Sequence, residues 1–202
     1  MKNIFLTLFT ALFVIVSCNK EATQSKNTSE ITSSSAKVID ASMQIKDFSG
    51  KLIGAFNLED SKIQIEDKIY ESKAKGDKKK YYSNGAFTYE VKLKDDGFKL
   101  RNAESKLLWK VKIYPDKIKI SDNEESTNPF EIKNRNGSIE ISKDEHKIAT
   151  VTIKDEKVNI NGKESYTISP TNNQYVLGVL GIEEIPMDQR LFIILEYFCR
   201  TK

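Results

Sequence analysis

The C-terminal stretch from Pro186 to Cys199, read as PMDQRLFIILEYFC, most constrains how this chain can fold. Pro186 and Asp188 suit the first turn of an α-helix, where proline needs no N–H donor and a negative charge faces exposed amides. Apolar side chains cover nearly every face of this helix, and its polar line consists of Gln189, Glu196 and Arg200. Such a helix is normally buried on nearly all sides, and it is shorter than the ~20 residues that span a bilayer. We therefore expect the rest of the chain to surround it.

Upstream of this helix, apolar and polar residues alternate with a period of two, as in strands that are half-buried. The segment from Phe87 to Leu93 is one example, and the sequences at Asp95–Gly97 and Arg135–Gly137 are typical of tight hairpin turns. About twelve short strands at hairpin spacing precede the helix, which predicts an antiparallel barrel or sandwich.

Three fifteen-residue stretches, 51–65, 106–120 and 146–160, align without gaps at their apolar positions. Each stretch is predicted to be one hairpin. An internal duplication and the ordinary pattern of a hairpin meander explain the match equally well, and both give the same architecture.

The hairpin series from Lys51 to Ile168, followed by the lone apolar helix Met187 to Phe198, resembles the tubby C-terminal-like superfamily. That superfamily includes phospholipid scramblases and the LURP-one-related proteins. The resemblance rests on pattern over most of the domain, and it implies a closed barrel that encloses a hydrophobic C-terminal helix. The alternative is a lipocalin-like barrel, with the helix packed outside and an apolar ligand in the lumen. The glycines of Tyr175–Ile182 leave that last apolar segment open between strand and helix.

The N-terminus has the features of a lipoprotein signal peptide. Lys2 supplies a positive charge, and Ile4–Val16 is an apolar run shorter than a transmembrane helix. The quartet Ile15–Cys18 resembles the bacterial lipobox, which implies cleavage after Ser17 and lipid attachment at Cys18. The alternative is an ordinary signal peptide with an incidental cysteine.

Residues 19–36 are rich in Ser, Thr, Lys, Glu and Asn, and Ile31 is their one large aliphatic residue. Such a composition cannot offset its ordering entropy, so we expect a flexible tether with a reach of roughly 20–25 Å. The predicted organisation is a signal peptide (1–17), a lipidated cysteine with its tether (18–36), and a barrel domain (37–202) with its helix at 186–199. This predicts a monomer that a lipid anchor holds in the bacterial cell envelope, at the outer membrane.

Catalytic motifs are absent from the sequence. The chain has one histidine, His146, which excludes His-based triads and multi-His metal sites. The acidic loop Ser121–Glu125 offers oxygen ligands for calcium but lacks the spacing of a recognised loop. Cys199 on the helix is expected to act as a small hydrophobe, and Trp109 as a core residue. We expect no cofactor, no metal and no enzymatic activity, although a hydrolase with dispersed carboxylates is a further alternative.

The net charge of +3, with interspersed signs, gives no reason to expect nucleic acid as a partner. The one concentrated basic run contains Lys73, Lys75, Lys78, Lys79 and Lys80. These lysines are candidates for binding an anionic lipid surface or an envelope protein. The competing interpretation, which we favour from the sequence, is a solvated loop that protects a sheet edge. The predicted function is therefore binding or scaffolding by a membrane-anchored barrel.

Overall fold

The structure, a computed structural model, describes residues 38–201. The predicted signal peptide, Cys18 and the tether up to residue 36 lie outside the described residues. The barrel domain belongs to one compact unit, Ala36–Lys202. Among the described residues, no helix combines the length and the apolar character needed to cross a membrane.

Within residues 38–201, fourteen strands are followed by a short 3-10 helix and one α-helix. The elements are β1 (Met43–Asp47), β2 (Leu52–Asn57), β3 (Lys62–Ile65), β4 (Lys68–Lys75), β5 (Lys78–Ser83), β6 (Ala86–Lys94), β7 (Gly97–Asn102), β8 (Leu107–Ile113), β9 (Lys117–Ser121), β10 (Phe130–Arg135), β11 (Ser138–Lys143), β12 (His146–Lys154), β13 (Lys157–Ile160), β14 (Lys163–Ser169), the 3-10 helix (Tyr175–Gly181) and α1 (Met187–Arg200).

Every strand pairs antiparallel with its neighbours in sequence, and β1 pairs with β14 to close the sheet into a barrel. The tight turns follow from local chemistry: Asn136 and Gly137 have φ values of 52° and 81°, which a two-residue hairpin turn requires. The predicted antiparallel barrel is confirmed, with fourteen strands where the pattern indicated about twelve.

The two strands that the sequence pattern missed are β4 and β5. Tyr70 and Tyr81 are the only buried residues on this pair of strands. A strand that buries one side chain does not show apolar alternation, so the segment was expected to be a loop. The three aligned stretches are confirmed as hairpins, namely β2–β3, β8–β9 and β12–β13. All three begin on an even-numbered strand, so they run in the same direction around the barrel.

The helix α1 occupies the interior of the barrel. It begins one residue later than predicted and ends one residue later, with Pro186 in the N-cap position. Side chains Leu191–Leu195 have no exposed surface. The Phe192 ring packs against the rings of Tyr70, Tyr81 and Tyr89 on three adjacent strands, with centroid distances of 5.2, 4.9 and 4.6 Å. The expected enclosed helix is confirmed, and the external helix of the lipocalin-like alternative is not the observed arrangement.

The 3-10 helix fills the other side of the interior, against β10, β11 and β12. A Cβ atom on Gly178 would lie 2.7 Å from the Cγ2 atoms of both Ile132 and Ile139. A Cβ atom on Gly181 would lie 2.8 Å from the Cδ1 atom of Ile141. The two glycines that left this segment undecided therefore allow a helical turn to lie directly on the wall.

Candidate functional site

A buried polar cluster, formed by Ser61, Lys79, Tyr81 and Glu196, joins the wall to the enclosed helix. The Lys79 Nζ lies 3.0 and 3.1 Å from the two carboxylate oxygens of Glu196, and it also donates to Ser61 Oγ at 3.2 Å. The Tyr81 hydroxyl donates to Glu196 Oε1. Burial, with the Glu196 charge as the next cause, raises the pKa of Tyr81 well above its usual value, so the hydroxyl remains a donor.

Glu196, on the polar line of α1, lies in the barrel interior as part of this cluster. Glu196 has no exposed surface. The barrel interior tolerates this carboxylate because Lys79 neutralises its charge, and Tyr81 donates a further hydrogen bond to Oε1. Cys199 lies beside the cluster, half-buried against the core, with its Sγ 3.4 Å from Ser61 Oγ and 3.6 Å from the Leu58 carbonyl oxygen.

At the other end of α1, two polar side chains of the helix meet aromatic donors from the wall. The Tyr89 hydroxyl donates to Asp188 Oδ2, and Trp109 Nε1 donates to Gln189 Oε1. Burial and the hydrogen bond to Asp188 raise the pKa of Tyr89. Trp109 is buried, as expected of a core residue. The helix is thus fixed by polar contacts near both of its ends.

Arg190 is a buried residue that the sequence interpretation missed. Its guanidinium donates to the carbonyl oxygens of Leu180, near the end of the 3-10 helix, and of Glu183 and Ile185, in the link to α1. Burial lowers the pKa of Arg190, yet arginine stays charged at any physiological pH. The sequence does contain a sign of this role, because Arg190 directly precedes the apolar run of the helix. A charge at that position must find buried hydrogen-bond acceptors.

The predicted lysine run is divided by the alternation of β5. Lys79 points inward to Glu196, and Lys73, Lys75, Lys78 and Lys80 lie on the outer face of β4 and β5. The four outer lysines face each other in register, Lys73 opposite Lys80 and Lys75 opposite Lys78. The structure therefore removes Lys79 from the candidate surface and keeps the other four.

Further lysines from the next strands extend this outer surface, and the sequence interpretation did not include them. Cross-strand register places five lysines in one row across β4 to β8: Lys75, Lys78, Lys92, Lys99 and Lys110. We call this set the lysine row. The signal was the repeated Lys-x-Lys or Lys-x-Arg spacing within β6, β7 and β8, which puts both basic residues on one face of a strand.

A surface hollow of about 350 Å³ lies at one end of the lysine row. We call it the lysine hollow, and its lining consists of Lys73, Ala74, Lys75, Lys78, Lys80 and Tyr82. The Nζ of Lys73 lies 5.2 Å from the Tyr82 ring centroid, and that of Lys80 lies 4.9 Å from the Phe87 centroid. No carboxylate is among the lining residues.

The other end of the lysine row is neutralised by the acidic loop between β9 and β10. Lys99 and Arg101 both form ion pairs with Glu124, and the Lys99 hydrogen bond lowers the pKa of that carboxyl group. Of the potential calcium ligands considered from sequence, the Glu124 carboxylate is thus engaged with basic side chains. Among residues 38–201, no group of three or more potential metal ligands comes together. His146 is exposed at the first position of β12.

A larger groove of about 460 Å³ on β9 to β12 has a mixed lining of lysines, arginine and acids. Glu131 in this groove is bound by Lys119 at 2.7 Å and Lys133 at 2.6 Å. Because the Glu131 carboxylate already pairs with these two lysines, the groove has less unbalanced positive charge than the lysine hollow.

Comparison with known proteins returned no matching family model, no matching curated protein and no matching solved structure. The candidate sites are therefore defined by the geometry of this chain alone.

Proposed function

We propose that this protein is a lipid-anchored lipoprotein of the bacterial cell envelope, whose barrel is a non-enzymatic binding or scaffolding domain. The binding role in this proposal rests on one observation, namely that the interior of the barrel is filled. The chain's own helix and 3-10 helix pack in the lumen, with Leu191–Leu195 and Val176–Val179 buried. A barrel of this kind offers its outer wall and its rims to a partner.

The state of the interior polar groups supports the non-enzymatic assignment. Glu196, Asp188 and Gln189 accept hydrogen bonds from wall residues, and Arg190 donates to main-chain carbonyls. These contacts stabilise the packing of the helix, and they occupy the groups that acid–base chemistry in the lumen would need.

Membership of the tubby C-terminal-like superfamily is part of this proposal. The enclosed C-terminal helix supports it, because the resemblance implies a closed barrel around a hydrophobic C-terminal helix. The strand number of fourteen exceeds the expected number, so the support comes from the helix and not from the strand count. A lipocalin-like carrier function receives no support from a lumen that contains the chain itself.

The anchor is tested by comparing two cysteine variants of the full chain in a bacterial host. Cys18→Ser should keep the signal peptide attached and abolish labelling by an alkyne fatty acid. Cys199→Ser is the matched control, because it removes the other cysteine and should leave processing and labelling unchanged. Normal cleavage and labelling of Cys18→Ser would reject the lipoprotein assignment.

The filled lumen is tested on the same preparations. The wild-type protein should purify without a bound apolar molecule, and an environment-sensitive apolar dye should gain little fluorescence when it is added. A stoichiometric co-purified lipid, released only on unfolding, would instead favour the lipocalin-like carrier.

A further inference from the structure

The outer lysines of β4 and β5 do not protect a sheet edge, because the sheet has no edge. Both strands are paired on both sides, β4 with β3 and β5, and β5 with β4 and β6. Closing a barrel removes the exposed edges that charged residues elsewhere protect. The loop interpretation favoured from sequence is wrong for these residues, so their charge needs another explanation.

The lysine row places like charges in register, although Lys78, Lys92 and Lys99 each have a carboxylate within 4 Å. Like charges directly opposite each other on neighbouring strands are destabilising. Adjacent strands lie about 4.8 Å apart, so five registered positions span roughly 19 Å of the wall. Strands β4 to β8 contain two acidic residues, Glu71 and Glu90, and the second is nearly inaccessible with 6% of its surface exposed.

The lysine hollow is the least neutralised part of this surface. Within the described part of the chain, Lys78 is the one lining lysine with a carboxylate within 4 Å, since its Nζ lies 3.6 Å from Glu90 Oε1. Lys73 and Lys80 lie over aromatic rings, and those rings leave their positive charge in place. The hollow therefore presents several convergent ammonium groups with little compensating charge.

We propose that the lysine hollow binds the phosphate groups of anionic lipids, and that the outer face of β4 to β6 lies against the membrane surface. This inference rests on the proposed lipid anchor, which would hold the barrel close to such a surface. Tethering raises the effective concentration of headgroups, so ammonium–phosphate contacts that are individually weak become sufficient. The half-buried rings of Tyr82 and Phe87 lie beside the lysines, and aromatic rings are favoured at the membrane interface.

The test uses the full chain reconstituted in vesicles of two compositions, pure phosphatidylcholine and phosphatidylcholine with one third phosphatidylglycerol. Exposed lysines are acetylated for a short time, and the modification of each is measured by mass spectrometry. Lys73, Lys75, Lys78 and Lys80 should react several-fold more slowly in the anionic vesicles. Four exposed lysines on β12, β13 and β14, namely Lys147, Lys154, Lys157 and Lys163, are the internal control and should react equally in both. Raising the salt to 0.5 M should remove the difference, because salt screens such contacts.

A pair of charge-matched variants makes the result specific. Iodination of Tyr82 reports on the hollow without depending on a lysine. One variant has glutamine at 147, 154, 157 and 163, and in it anionic vesicles should still protect Tyr82 from iodination. The other variant has glutamine at 73, 75, 78 and 80, and in it this protection should be lost. Equal shielding in the two variants would overturn the proposal.

Two further outcomes separate this inference from its alternatives. Protection by millimolar glycerol phosphate without vesicles, as strong as that by anionic vesicles, would overturn the membrane assignment and indicate a site for soluble phosphate esters. Failure of the anchor would appear separately, as a chain that does not float with phosphatidylcholine vesicles. Protection of the four lysines by added anionic vesicles would then still support the hollow.

Discussion

Lys79 on the barrel wall and Glu196 on the enclosed helix form an ion pair, with 3.0 Å between Nζ and Oε1 and a carboxylate that has no exposed surface. Both charges are removed from bulk water, and each depends on the other for its solvation. The pair therefore ties the position of the helix to one strand of the wall.

Glu196→Ala should be strongly destabilising. It leaves the Lys79 ammonium and the Tyr81 hydroxyl without their acceptor, and breaking a buried pair costs about 3–5 kcal/mol. The measurement is the free energy of unfolding in urea. Glu66→Ala is the matched control: it removes the exposed Lys51–Glu66 pair, which has a 2.9 Å contact, and should cost less than about 1 kcal/mol. Equal effects of the two variants would contradict this account.

Leu195→Ala should also destabilise the protein, because Leu195 is completely buried inside the barrel. Truncating a buried leucine costs about 2–5 kcal/mol, measured as a lower urea midpoint with an unchanged slope. Ile148→Ala is its control, since Ile148 is 40% exposed, and its effect should be below about 1.5 kcal/mol.

A chain that ends before Pro186 should fail to fold, because the wall would enclose an empty apolar space. The readout is the loss of a cooperative thermal transition. A truncated barrel that melts cooperatively and takes up apolar dye would show that the wall is stable without the helix.

Arg190→Lys should destabilise the link between the two internal helices. One ammonium group cannot reach three carbonyl oxygens that a guanidinium contacts together, and the carbonyls left unpaired stay buried. We expect a loss of about 2–4 kcal/mol in the free energy of unfolding. Arg200→Lys on the same helix is the control: its contacts with the carbonyls of Lys94 and Asp95 are exposed, so its effect should be clearly smaller.

Acid should remove a stabilising contribution from Glu131. Hydrogen bonds from Lys119 and then Lys133 lower the pKa of this carboxyl group to about 2 from 4.5. A carboxyl group whose pKa is lowered by folding stabilises the protein above the unfolded pKa, and this contribution is lost as the pH falls through the folded pKa. Urea unfolding should therefore show a smaller decline between pH 5 and pH 2 for Glu131→Gln than for the wild-type protein. Parallel declines would show that these ion pairs are screened by solvent.

The sequence was sufficient for the parts of the fold that follow from local periodicity. Turn residues such as Asn136 and Gly137 marked hairpins, and the apolar faces of Leu191–Leu195 indicated enclosure of the helix. The strands β4 and β5 were missed because each buries a single residue, and because an inward position of β5 is taken by Lys79, whose partner lies 117 residues away. Long-range pairs of this kind leave no local pattern.

The candidate site was predictable only where its residues are close together in the sequence. Four of the five lysines in the run lie on one outer surface, as a concentrated charge run suggests. Their extension through Lys92, Lys99 and Lys110 depends on cross-strand register, which one sequence does not reveal. The sequence shows that Arg190 is an unusual charge in an apolar helix. Its carbonyl acceptors depend on the path of the backbone between the 3-10 helix and α1, which the sequence does not show.

The pairing of β1 with β14 imposes an order on how this molecule can be made. Each hairpin can form from residues close in sequence, within microseconds, but the seam joins Gln44 to Ser169. The helix comes after the last strand in the chain, so the strand that completes the wall is synthesised before the segment that belongs inside it. The helix can therefore be enclosed only after the final residues are available. An incomplete chain would expose an open curved sheet with an apolar inner face, which makes the closing step the stage most prone to aggregation.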